Sequence, residues 1–230
     1  MNLKTLSCCL LLIFLLGCQN NQENIETKEM NDNMNEQFFR AAKKGDIKEI
    51  IKLLEQGVDI NSKDHQGRTA LMIATYENDI NTAKVLVENG ADVNIQDNMK
   101  NNPYLYAGAE GYLDILKLTI EAGADTKIVN RYGGTALIPA SEHGYVDVVK
   151  QLLETTDVDV NHINNLGWTA LLEAIILNDG GKKQQETIKL LIEHGADVNI
   201  PDSNGVTPIA HAQEKGFVEI EKILLDAGAK

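Results

Sequence analysis

Apolar residues in this chain fall in short clusters, three and four positions apart, and most clusters run into a glycine. Ile50, Ile51, Leu53 and Leu54 precede Gly57; Ala83, Val85, Leu86 and Val87 precede Gly90; Ile115, Leu116 and Leu118 precede Gly123. The pattern returns at Val148, Val149, Leu152 and Leu153, then at Ile188, Leu190, Leu191 and Ile192 before Gly195. It closes with Ile220, Ile223, Leu224 and Leu225 before Gly228. Neighbours three and four apart share one face of a helix, and a left-handed glycine closes its last turn. A shorter apolar segment stands ahead of all but the first of these clusters. These segments open at Thr69-Ala70-Leu71, Asn102-Pro103-Tyr104, Thr135-Ala136-Leu137, Thr169-Ala170-Leu171 and Thr207-Pro208-Ile209. The pattern predicts an all-α chain of helix pairs, none able to bury its apolar face alone.

The two markers keep a common period of about 33 residues. Gly57-Val58-Asp59-Ile60-Asn61 recurs as Gly90-Ala91-Asp92-Val93-Asn94, shortens to Gly123-Ala124-Asp125, and returns as Gly195-Ala196-Asp197-Val198-Asn199. Thr-Pro-Leu-like starts and Gly-Ala-Asp-like ends at this spacing resemble the ankyrin repeat. The resemblance implies a solenoid of stacked antiparallel helix pairs with projecting hairpin loops. Five units follow from the spacing: 64–96, 97–129, 130–163, 164–201 and 202–230. Residues 35–63 supply a helix pair with no preceding hairpin, as an amino-terminal cap does.

Some units depart from the pattern. Unit two opens on Asn102, which can cap a helix as threonine does. Unit three ends in Thr155-Thr156-Asp157 with no glycine. Unit four is the longest, and its extra residues, Asn178 to Glu186, are expected between its two helices.

The first residues read as a separate device. Lys4 precedes the apolar stretch Leu10–Leu16, which is too short to span a bilayer. The ending Leu15-Leu16-Gly17-Cys18 resembles a bacterial lipobox. That resemblance implies a signal peptide over 1–17, cleavage before Cys18 and lipidation of that cysteine. The protein would then be lipid-anchored at a cell membrane or outer membrane, facing the periplasm or exterior. Residues 18–34 are polar and expected to be a disordered tether, roughly 20–25 Å long as a flexible coil. Cys8, Cys9 and Cys18 all lie in the leader, so none is left for a disulfide or thiolate metal site in the repeats.

Net charge is -13, and removing residues 1–17 makes it -14, because that segment carries only Lys4. Such a surface repels nucleic acid and anionic headgroups; it keeps the protein soluble and suits a basic partner. No nucleotide loop, nucleophile elbow or zinc spacing is present. The histidines at 65, 143, 162, 194 and 211 lie in different units. The expectation is a monomeric, non-enzymatic protein with no cofactor or metal, whose partner is another protein.

In ankyrin proteins binding typically uses the concave face, made of hairpin tips and the exposed side of the first helices. The positions carried over onto this chain include Tyr76, Met99, Arg131, Tyr132, Glu142, His143, Leu166 and Trp168. Arg131, Tyr132 and Trp168 are of the types that dominate interface energetics. Alternatively, Tyr132 and Trp168 cover hairpin backbone. Inside the first helices, one column reads Ile73, Tyr106, Pro139, Glu173, His211. Helices packed about 8–10 Å apart would let Glu173 and His211 meet across the stack. They form either a buried pair or a polar ligand pocket lidded by the loop carrying Asp179. Envelope ankyrins that the chain resembles support a periplasmic enzyme or neutralise toxic effectors. The other functional classes are a ligand or enzymatic site at Glu173/His211, and a passive envelope scaffold.

Overall fold

A computed structural model describes residues 30–230. The expected signal peptide, the expected cleavage site and Cys18 lie outside the described residues. So does the expected tether as far as residue 29. Residues 30–34, expected to belong to that tether, are instead helical and continuous with the helix that follows.

Among the described residues twelve helices follow one another in pairs. They are α1 (30–44), α2 (Ile47–Glu55), α3 (Ala70–Tyr76), α4 (Ile80–Glu88), α5 (Pro103–Glu110) and α6 (Leu113–Glu121). The second half holds α7 (Leu137–Glu142), α8 (Val146–Thr155), α9 (Ala170–Ile176), α10 (Lys182–Glu193), α11 (Pro208–Glu214) and α12 (Val218–Asp226). The first helices of units one to five touch in the order α3, α5, α7, α9, α11. The second helices touch in the order α4, α6, α8, α10, α12. Two parallel rows of short helices result, and no strand occurs among the described residues. The apolar clusters face the seam between rows: Ile50, Leu86, Ile115, Leu116, Leu152, Ile188, Leu191 and Leu224 are all buried.

The repeated motifs have identifiable physical roles. Thr69, Thr169 and Thr207 accept a hydrogen bond from the amide three residues on, and Asn102 does the same for Leu105 at 2.8 Å. Each thereby caps a first helix. The aspartate of the Gly-Ala-Asp motif closes its own turn, as Asp92 does for the Asn94 amide. The asparagine two residues later brackets the next unit. Asn161 accepts from the Asp197 amide at 2.8 Å and donates to the Gly195 carbonyl at 3.1 Å. Where unit two has Lys127 in place of that asparagine, Thr126 donates to Asp157 at 2.6 Å and ties units two and three instead.

Unit three differs from its sequence-based expectation. Thr135 does not cap α7, although its sequence Thr135-Ala136-Leu137 matches the capped units. Elsewhere the capping residue's carbonyl takes the amide four residues on; here that residue is Pro139, which has none. The Thr135 carbonyl takes the Ile138 amide at 3.3 Å, and the Thr135 hydroxyl is left buried without a partner.

The unit-four insertion is also placed differently. Its second half does not lie between helices but extends α10, which is 12 residues long where its counterparts have 9 or 10. Asn178 fastens the remaining loop by donating to the Glu142 carbonyl at 2.7 Å, and the Gln184 side chain donates to Asn178 at 2.9 Å.

Candidate functional site

The hairpin before each first helix is organised by one Asx residue: Asp64, Asp97, Asn130, Asn164 and Asp202. In each, Oδ1 accepts from two backbone amides, two and four residues on; Asn164 takes Leu166 and Trp168. The second side-chain atom is then free to choose a partner by its chemistry. Where it is a carboxylate oxygen it accepts. Asp64 takes Arg68 at 2.8 Å, Asp97 takes the Tyr76 hydroxyl at 2.6 Å, and Asp202 pairs with His211 Nε2 at 3.0 Å. Where it is the amide nitrogen of Asn164 it donates, to Glu173 Oε1 at 2.7 Å.

This corrects the expected pair. Glu173 and His211 each bond to the hairpin residue nine positions upstream in their own unit, and those short contacts decide where the side chains go. The two do not form one pocket. Asp179 does not lid them either; its carboxylate accepts from the Gly181 amide and shapes its own loop.

Glu173 instead opens onto a groove of about 610 Å³ that runs along the first helices of units one to four. Its walls include Tyr76, Met99, Tyr106, Arg131, Tyr132, Glu142, His143, Leu166 and Leu177. Tyr76 and Tyr106 meet edge-on with ring centroids 4.3 Å apart. Burial and its bond to Asp97 push the Tyr76 hydroxyl up to about 12. Tyr132, Leu166, Met99 and Leu177 are each about half exposed, at 53, 52, 49 and 48%. The Arg131 guanidinium lies 4.7 Å from the Tyr132 ring centroid, and its Nη1 is 3.6 Å from Met99 Sδ. The hairpin tips are tied as well, the Asn165 amide donating to the Tyr132 carbonyl at 2.9 Å.

Of the expected concave-face residues, seven therefore line one groove: Tyr76, Met99, Arg131, Tyr132, Glu142, His143 and Leu166. Trp168 does not. It is half-buried, outside the groove lining, and its backbone is held by Asn164. Leu177, Tyr106 and Asn164 also line the groove and are not among the singled-out positions. Tyr106 stands in the column whose polar members drew attention. Asn164 had a legible signal, because it is an amide in a column otherwise mostly aspartate, with a glutamate nine residues on.

Stacked helix pairs joined by projecting hairpins, with a groove along the first-helix row, define a protein-interaction solenoid. The family model for ankyrin repeats (3 copies) matches over residues 2–97, 38–129, 104–202 and 159–230. The chain belongs to the ankyrin-repeat family. It is 43% identical over 197 residues to the ankyrin repeat protein YahD of Escherichia coli K12, covering 86% of this chain and 98% of that protein. A crystallised ankyrin repeat domain from Acinetobacter baumannii AYE is 53% identical, with TM-score 0.82 over 84% of this chain and 98% of that one. The ankyrin domain of Bcl-3, at 21% identity and TM-score 0.76 over 84% of this chain and 86% of that one, shares the fold.

Proposed function

We propose that this protein binds another protein through the groove of units one to four while anchored at the bacterial envelope by a lipidated Cys18. The observation that carries the docking reading is the placement of Met99, Tyr132, Leu166 and Leu177. Four large apolar side chains, each about half exposed, border one groove. Contiguous exposed apolar surface of this kind marks interaction sites, and an aromatic flanked by an arginine is typical of an energetic centre. The anchor rests on the lipobox-like Leu15-Leu16-Gly17-Cys18. In that position the solenoid would present its groove to a periplasmic or external partner, either an enzyme that it supports or an effector that it neutralises.

The test is affinity capture from envelope fractions with the full chain and with a Tyr132→Ser/Leu166→Ser variant. Both side chains are exposed, so the variant's melting should stay within about 0.5 kcal/mol of wild type. A specific partner should be retained by wild type, lost by the variant, and bound again when purified. Equal retention by both proteins would place docking elsewhere on the solenoid.

A further inference from the structure

Glu173 does not fit its own column. The corresponding residues are Ile73, Tyr106, Pro139 and His211, and the last is matched to Asp202. Glu173 is only 6% exposed. Its Oε1 accepts from Asn164, and among the described residues no hydrogen-bond donor or cation reaches Oε2. Isolating a carboxylate in this way costs stability, since a buried charge needs a counter-charge or several donors. Burial, and after it the charge of Glu142 on the same groove, drive the Glu173 carboxyl up to about 7. Glu110 adds a third carboxylate to the lining, and none of the three has an ion-pair partner among the described residues. The groove's arginine, Arg131, lies over the Tyr132 ring and pairs with none of the three.

We propose that the groove receives one basic side chain, a lysine or arginine presented by the partner protein, with its cationic head at Glu173 Oε2 beside Glu142. The walls suit such a group along its whole length. Tyr106, fixed by T-shaped contacts with Tyr76 and Tyr112, puts an aromatic ring in the groove lining, a group that attracts cations. Leu177, about half exposed in the same lining, offers apolar surface for the methylene stem. A bare inorganic cation would use the carboxylates and leave that apolar lining unused. The net charge of -14 on residues 18–230 adds long-range attraction for a basic partner. This inference rests on the docking reading above and specifies the chemistry of what docks.

The experiment is an NMR titration of the full chain in detergent micelles with acetyl-Gly-Arg-Gly-amide and its lysine counterpart. The glutamine counterpart serves as the neutral control. Basic peptides should shift the Asn164 side-chain amide and the Glu173 backbone, and the neutral peptide should not. Glu173→Gln should weaken the basic peptides by about tenfold or more. Glu219→Gln, which removes the same charge from an exposed position on α12, should leave affinity unchanged. Equal weakening by both variants would reduce the effect to overall charge and overturn the proposal. No binding by wild type, or binding unaffected by Glu173→Gln, would overturn it too. The docking reading would survive those results if the Tyr132→Ser/Leu166→Ser variant still lost the captured partner.

Discussion

At the scale of single residues, the hairpin Asx positions show how one atom's chemistry selects its neighbours. Asp and Asn close the turn identically through Oδ1, so the backbone does not distinguish them; the second atom does. It leaves Glu173 with an amide donor in place of a cation, and stability should depend on pH accordingly. The Glu173 carboxyl sits at about 7 in the folded chain against an ordinary 4.5. Between those values the folded state holds a proton that the unfolded state has released. Stability therefore falls as pH rises from about 4.5 to about 7 and levels off above. Glu173→Gln keeps the acceptor for Asn164 and removes the charge. It should raise Tm near pH 8, where on the order of 1 kcal/mol corresponds to roughly 2–4 °C in a chain of this size. Near pH 5 it should change little. Thermal melts at the two pH values check this, and a lower Tm for the variant near pH 8 would refute it.

At the scale of helices, close approach depends on small residues and on glycines that leave backbone uncovered. A Cβ on Gly108 in α5 would stand 2.8 Å from the Ala136 Cβ and 3.2 Å from the Ala136 carbonyl oxygen. Gly108→Ala gains about 1 kcal/mol of helix propensity, but overpacking costs about 1–3 kcal/mol. The opposing atoms are a methyl and a carbonyl fixed to backbone, with no flexible end to yield. The clash should win, lowering stability by about 1–2 kcal/mol in urea unfolding; a stabilised variant would show that α5 and α7 can move apart. Gly111 serves differently. Its φ of +76° admits the left-handed turn, and its bare backbone lies against the ring of Tyr145, which opens α8 without a polar cap.

At the scale of the molecule, each unit touches mainly the units on either side, so stability is approximately a sum over neighbours. Units two to four have a packed neighbour on both sides, whereas α12 packs mainly on α10 and α11. Amide hydrogen exchange should follow that order, slowest in α5 to α9 and fastest in α12 and residues 30–44. Uniform protection along the stack would mean that the chain opens as one block. The groove lies in the part expected to be most protected, so it is built on a rigid row of helices.

The sequence alone determined the helix pairs, their order and most of the groove's rim, because those depend on local periodicity and on motifs that act within one unit. Seven of the eight singled-out concave-face residues line the groove, since position within a repeat fixes which face a side chain takes. Trp168 is half-buried outside the groove lining, although it shares a hairpin with Leu166. Tertiary structure decided the fate of the polar residues. Glu173 and His211 look like partners when successive units are aligned, but each had a closer partner nine residues upstream. Whether that partner was Asp or Asn decided which of the two was neutralised. The helical extension of the unit-four insertion was settled in the same way, by backbone donors and acceptors that must find partners in three dimensions, whereas the lost Thr135 cap traces to Pro139, already present in the sequence.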